Sequence, residues 1–275
     1  MTEDFDFICA LQPERIDELR FRGITPPLNI PTIYGGQLMA QVMHSAAQTL
    51  DNPRPAHYLQ ASFIASGDPT KPLDFEVRKL RDGKSTSNRQ VEVSQAGTTL
   101  LAAALSFQTI SEGYSHQVPM PAVDRPETLL ATGDHEMQFS DDDNAPFPFW
   151  IVVCPPTSGG REPYSSVWTK PRFNAAEDSL LQQMLFAFVS DASILQAALQ
   201  PHSLTWEDPG LAIATMNHSL WFHRSLNIND WHLMHSVSPS THDGRAFATA
   251  NTFSDQGNLV ATIAQEGILR RRPSQ

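Results

Sequence analysis

The chain has 275 residues, of which 40% are hydrophobic, and a formal net charge of −11. This length allows one large domain or two of ordinary size, and the acidic balance argues against general nucleic-acid binding. The longest apolar stretch, about Leu100 to Phe107, is far too short to span a bilayer, so no membrane association is expected.

Two distant cysteines, Cys9 and Cys154, predict reduced thiols. The acidic N-terminus does not resemble a secretory signal or a transit peptide, and the terminal Pro-Ser-Gln does not resemble a peroxisomal signal. We therefore expect a cytoplasmic protein.

The first half begins with two predicted helices. Residues 14–22 fit a short helix, and a second, longer helix opens at Tyr34-Gly35-Gly36-Gln37, after a proline-rich stretch. Small residues on several faces of this second helix indicate that other structure encloses it, and prolines at 53 and 55 end it.

Four strand-like runs follow the long helix, separated by turn residues. They cover residues 57–65, 73–78, 86–93 and 98–110. In the second of these runs, apolar and polar residues alternate from Leu73 onward. The pattern predicts a helix followed by an antiparallel meander.

Residues 112–165 are rich in proline and predict a linker or insertion with one strand, at Phe149 to Val153.

The second half then repeats the order of elements of the first half, helix followed by strands. It has apolar helical stretches at 179–189 and 192–199, followed by strands at 211–222, 231–237, 245–253 and 258–269.

Short matches at a nearly constant spacing indicate an internal duplication. His57-x-Leu59 recurs 161 residues later at His218, and Asp82-Gly83 recurs at the same spacing at Asp243. The turn at Gly97 matches that at Gly257, 160 residues on. Chance matches between two unrelated β-rich halves are the alternative. We predict an α+β fold made of two repeats, each an antiparallel sheet wrapped around a long helix.

Three polar residues of the second half lie in apolar surroundings. Asp191 fits a helix N-cap or a general base. Gln265 shares its strand face with apolar side chains, so it needs partners, either structural or functional. Ser238, before a proline at a strand end, carries no signal of its own.

Other chemistry is not expected. Asp82-Gly83-Lys84-Ser85 lacks the first glycine of a phosphate-binding loop, and no Gly-x-Ser-x-Gly elbow occurs. His218 and His223 are five apart on a predicted strand and so face opposite sides. We expect no metal and no cofactor.

The sequence resembles the acyl-CoA thioesterase II family of tandem hotdog proteins. The resemblance covers nearly the whole chain except 112–165, and its most specific motifs are the run His218 to Arg224 and the strand Ala264-Gln265-Glu266-Gly267. Further matching motifs are Phe21-Arg22-Gly23, Tyr34 to Gln37, Phe63 to Asp68, Arg81 to Ser85, Ser190-Asp191 and Ala198 to His202.

The resemblance implies a double hotdog fold and a triad of an aspartate, a hydroxyl residue and a glutamine that holds the attacking water. Asp191 and Gln265 lie on the matching motifs. For the hydroxyl residue the choice is Ser238, with Ser240 and Thr241 as fallbacks. The implied reaction is hydrolysis of acyl-CoA thioesters to fatty acid and CoA, without a covalent acyl-enzyme.

Substrate-binding groups are weaker predictions. Backbone N–H groups at a helix N-terminus, near Asp191-Ala192 or at Gly36-Gln37, are candidates for the oxyanion site, and His57 is a further candidate contact. Gly36 also fits a tight helix entry. The locally basic segment with Lys79, Arg81 and Lys84, or Arg270 to Arg272, could bind the CoA phosphates, or simply be solvated surface.

The expected organisation is an N-terminal hotdog at 1–111, a linker or insertion at 112–165 and a C-terminal hotdog at 166–275. A homodimer or larger homo-oligomer is expected. Two other functions stay open: a non-catalytic acyl-CoA binding protein, and a hotdog enoyl-CoA hydratase or dehydratase, which would use a histidine paired with a carboxylate.

Overall fold

A computed structural model describes residues 6–133, 135–137, 146–156 and 161–271. The helices in these ranges are α1 (Phe7–Ala10), α2 (Gly35–Ala47), α3 (Pro126–Thr132), α4 (Ser179–Ser190) and α5 (Gln196–Leu199). The strands are β1 (Glu14–Arg15), β2 (Arg20–Gly23), β3 (Ala56–Phe63), β4 (Leu73–Asp82), β5 (Thr86–Gln95), β6 (Thr98–Gln108), β7 (Glu136–Met137), β8 (Phe149–Val153), β9 (Tyr164–Pro171), β10 (Leu211–Phe222), β11 (His232–His242), β12 (Arg245–Ser254) and β13 (Leu259–Arg271).

The chain forms two compact units, and neither is continuous in sequence. The first contains residues 1–115, 175–191 and 219–222, and the second contains 116–174, 192–218 and 223–275. Helix α4 therefore belongs to the unit of the first sheet, where it packs against α2. The predicted repeat boundaries at 111 and 166 stay a prediction.

In the first unit, strands β1-β2-β4-β5-β6-β3 lie in this order with antiparallel neighbours. The enclosed long helix is confirmed: α2 is buried over most of its length, including Gln37 and Gln41. The amide of Gln41 donates to the carbonyls of Ala10 (2.7 Å) and Ile24 (2.8 Å), which satisfies a buried polar group.

The predicted helix at 14–22 is wrong, because this segment forms β1, at the edge of the sheet, and β2 beside it. Phe21 and Gly23 are buried while Arg20 and Arg22 are exposed, which is a strand alternation. Strand β2 pairs with β4, and the Arg22 guanidinium donates to Asp74 across that pair. Tertiary pairing has overridden the weak helical spacing.

In the second unit the strand order is β10-β13-β12-β11-β9-β8-β7. The predicted strand at 149–153 is confirmed as β8, whereas β9 was not predicted. Residues 165–169 of β9 are buried without a break, because the segment before and within α3 covers one face of this sheet. Trp168 packs there with Leu129, Val152 and Leu233. The rest of the 112–165 prediction falls partly on residues 134, 138–145 and 157–160, outside the described ranges.

The two meanders share one topology, as the duplication predicts. In the first, β4-β5-β6 turn in succession and β6 lies beside β3; in the second, β11-β12-β13 turn in succession and β13 lies beside β10. Gly97 and Gly257 both occupy their turns with a φ of +83°, a conformation that favours glycine. Within the described ranges, no helix is long and apolar enough to cross a membrane.

Candidate active site

Asp191 closes helix α4 instead of opening a helix. It is the C-cap residue, with φ −82° and ψ −15°. The N-cap of α4 is Asp178, whose carboxylate accepts from the Leu181 N–H at 2.8 Å. Of the predicted helix at 192–199, only α5 (Gln196–Leu199) is helical. The N-cap interpretation of Asp191 is therefore wrong, as is the expected helix N-terminus at Asp191-Ala192. Serines at 190 and 193 interrupt the helix, since such side chains compete for backbone hydrogen bonds.

The Asp191 carboxylate lies against the first turn of α2. A Cβ added at Gly35 would be 2.6 Å from Asp191 Oδ2 and 3.0 Å from the Phe63 ring, so only glycine fits without a shift. The first N–H groups of a helix lack partners within it and carry partial positive charge. The start of α2 is therefore a favourable place for a carboxylate and for a developing oxyanion.

Gly36 and Gln37 lie in this first turn, and both are buried. The Gln37 side chain turns toward Gln41, to whose Oε1 it donates at 3.2 Å. The group of Gln37 that could contribute to an oxyanion site is therefore its backbone N–H. Gly36 serves a close approach, because a Cβ there would overlap the carbonyl of Phe188 in α4.

Gln265 lies on β13 in the second unit and is 1% exposed. Its Oε1 lies 2.6 Å from His218 Nδ1, and its Nε2 donates to Thr215 Oγ1 at 2.9 Å. An amide oxygen only accepts, so His218 must carry its proton on Nδ1. In this orientation the N–H groups of Gln265 point toward the hydroxyl of Thr215.

Ser238 is buried on β11, but its hydroxyl donates to the carbonyl of Phe247 at 2.8 Å. Strand β12 lies between β11 and β13, and two strand spacings are about 10 Å. The hydrogen bonds therefore join Gln265 to Thr215 and not to Ser238. The fallback residues Ser240 and Thr241 lie further along β11.

The first repeat does not reproduce the glutamine. Gln265 lies eight residues after the turn glycine Gly257 of the second repeat. The residue at the same distance from Gly97 in the first repeat is Leu105. His57, which matches His218 in the duplication, lies 2.8 Å from the hydroxyl of Ser106, and burial lowers its pKa. The amide network thus belongs to the second repeat.

The predicted phosphate-binding residues lie at the exposed end of β4 and the following turn. Lys79 forms an ion pair of 3.0 Å with Glu18, which offsets its charge. Arg81 and Lys84 are exposed. Of the alternative basic segment, Arg270 and Arg271 are exposed, and Arg272 lies outside the described ranges.

Known proteins match both halves of the chain. Residues 24–108 match the model of the acyl-CoA thioesterase N-terminal domain, and residues 152–268 match that of acyl-CoA thioesterase. Acyl-CoA thioesterase 2 of Haemophilus influenzae is 33% identical, over 96% of this chain and 97% of the relative. The chain belongs to the acyl-CoA thioesterase family.

Solved structures support the same family and fold. An acyl-CoA thioesterase II from Mycobacterium marinum superposes with a TM-score of 0.81 at 29% identity, covering 98% of both chains. A hot dog fold protein from Alicyclobacillus acidocaldarius superposes with a TM-score of 0.79 at 16% identity, over 95% of this chain and 96% of that one. The predicted double hotdog fold is confirmed. Neither the residue pattern nor the family resemblance pointed to Thr215, although it lies only three residues before His218, which begins one of the matching motifs.

Proposed function

We propose that this chain hydrolyses acyl-CoA thioesters to a fatty acid and CoA. The observation that carries the proposal is similarity to acyl-CoA thioesterases over 96% of the chain. The hydrogen bonds of the two matching histidines go to different groups, since His218 contacts the amide of Gln265 and His57 contacts the hydroxyl of Ser106.

In the proposed reaction, Asp191 accepts a proton from the attacking water while the water oxygen bonds to the thioester carbon. The carbonyl oxygen becomes an oxyanion, which the Gly36 and Gln37 N–H groups at the start of α2 would stabilise. Collapse of this intermediate breaks the carbon–sulfur bond and releases CoA as the thiolate, which takes up the proton.

Gln265 and a hydroxyl residue would hold the water. Ser238 is the hydroxyl residue expected from the sequence, and the bond between Gln265 and Thr215 favours Thr215 for this role. Fixing the water in advance removes much of the entropic cost of bringing it to the carbonyl carbon.

The test is release of free thiol from a panel of short- to long-chain acyl-CoAs. Wild type should turn over part of the panel, and Asp191→Asn should lower kcat by about 10²- to 10⁴-fold, the usual contribution of a general base. Asp243→Asn is the matched control, since Asp243 is exposed in a hairpin and should behave as wild type.

Each alternative function has its own outcome. Tight acyl-CoA binding without thiol release would establish a binding protein, and hydration of an enoyl-CoA would establish a hydratase. An active Asp191→Asn enzyme would refute the role of Asp191. Cytoplasmic location and a homodimer or larger assembly remain proposals, and light scattering of the purified chain tests the second.

A further inference from the structure

The last turn of α4 receives a hydrogen bond from outside the helix. The Tyr34 phenol donates to the carbonyl of Phe188 at 2.9 Å. Phe188 lies three residues before Asp191, among the last carbonyls of α4, and such carbonyls have no N–H partner within a helix. Tyr34 thus caps α4 with a side chain that comes from the start of α2.

Further contacts hold Tyr34 and α4 together at this point. The Tyr34 and Phe188 rings pack edge to face, with centroids 4.9 Å apart. Gly36 lets the backbones approach, because any larger residue would overlap the Phe188 carbonyl. Ser190 also bonds back within this turn, donating to the carbonyl of Ala187 at 2.9 Å. The end of α4 is therefore fixed by named side chains immediately before Asp191.

We propose that Tyr34 is a positioning residue that holds the Asp191 carboxylate at the start of α2. The inference rests on the proposed catalytic role of Asp191. The phenol does not act on the substrate: it satisfies the Phe188 carbonyl and so sets where α4 ends. Without this bond, the last turn of α4 gains freedom and the carboxylate spends less time beside Gly35.

The protonation of Tyr34 agrees with this role. Burial, and then the negative charge of Asp191, raise the pKa of Tyr34 well above its usual value. The phenol therefore keeps its proton, and remains a donor, through the neutral range in which a thioesterase is assayed.

The experiment compares Tyr34→Phe with wild type and with Tyr114→Phe. The phenylalanine keeps the ring contact with Phe188 and removes only the hydroxyl. We expect kcat to fall about tenfold, as expected for slight misplacement of a catalytic group, with KM within twofold and Tm lowered by only a few degrees, the usual cost of one lost hydrogen bond. Tyr114 is fully exposed, so Tyr114→Phe should match wild type.

A second comparison separates positioning from a general structural effect. In the Asp191→Asn background, measured at high enzyme concentration, Tyr34→Phe should lower kcat less than twofold. An unchanged kcat in Tyr34→Phe, a rise in KM alone, or an equal loss in both backgrounds would overturn the inference. If Asp191→Asn by itself retains full activity, the proposed catalytic role fails instead.

Discussion

The amide of Gln265 and the imidazole of His218 form a closely bonded pair inside the second unit. His218 Nδ1 lies 2.6 Å from Gln265 Oε1, and both residues are at most 1% exposed. Glutamine can present either end of its amide to a partner, and the resulting bond pattern depends on that choice. By donating to Oε1, His218 turns the N–H groups of Gln265 toward Thr215.

Replacing His218 should therefore affect both stability and turnover. In His218→Leu the buried Gln265 oxygen loses its donor, which should lower the free energy of unfolding by about 1–3 kcal/mol. The amide then loses its fixed orientation, so kcat should fall more than the folded fraction does. Urea unfolding and kcat give the two readouts. His242→Leu, at an exposed hairpin residue, is the control, and equal effects of the two variants would contradict the role of His218.

Paired variants decide which hydroxyl holds the water. Thr215→Val keeps the shape of the side chain and removes the hydroxyl that Gln265 contacts, so kcat should fall about 10²-fold if the water is misplaced. Ser238→Ala removes a hydroxyl that donates to the Phe247 carbonyl, so it should leave kcat within about threefold and cost about 1 kcal/mol of stability. The reverse ranking of the two kcat values would establish Ser238.

The sequence predicted elements whose pattern is strong and local. Strand β10 and helix α4 were placed to within a residue, because their apolar periodicity is long and their ends carry turn residues. Strands β1 and β2 at 14–23 were missed, since their stability comes from pairing with each other and with β4 and not from their own sequence. Strand β9 was missed for a similar reason: Leu129, which packs against Trp168, lies 39 residues earlier in the chain.

The sequence singles out candidate site residues but does not give their geometry. Asp191 and Gln265 stand out as polar side chains in apolar runs, and the family resemblance implies their place in the triad. The last turn of α4, just before Asp191, is bonded to Tyr34, more than 150 residues earlier in the chain, which no local pattern reveals. Thr215 gives no signal in an alternating strand until its bond to Gln265 is seen.

The basic residues at the end of β4 make a prediction about the CoA part of the substrate. If Arg81 and Lys84 contact its phosphates, the double variant Arg81→Gln/Lys84→Gln should raise KM for an acyl-CoA about fivefold, which is the scale of exposed charge pairs. The KM for the matching acyl-pantetheine thioester, which lacks the nucleotide phosphates, should not change. The control is Arg270→Gln/Arg271→Gln, in the other exposed basic segment. A larger effect of this control pair would move the phosphate site there.

Helix α2 contains a histidine whose burial should make the fold sensitive to acid. Burial, with a smaller contribution from the charge of Arg15, lowers the pKa of His44 to about 4, and its buried Nδ1 has no hydrogen-bond partner in the described residues. In the unfolded chain a histidine titrates near 6.5. The unfolded state therefore binds the proton first as the pH falls.

The free energy of unfolding should thus be fully retained above about pH 6.5 and decline as the pH falls toward 4. Between pH 7 and pH 5 the loss from His44 should be about 2 kcal/mol, since one pKa unit corresponds to about 1.4 kcal/mol. His44→Gln removes the titrating group and keeps a good helix former. Urea unfolding of both proteins at pH 7 and pH 5 isolates the contribution, because the other titrating groups are common to both. An equal loss of stability in wild type and His44→Gln would show that His44 does not titrate in this range, whereas a smaller loss in the variant assigns the acid sensitivity to this one side chain.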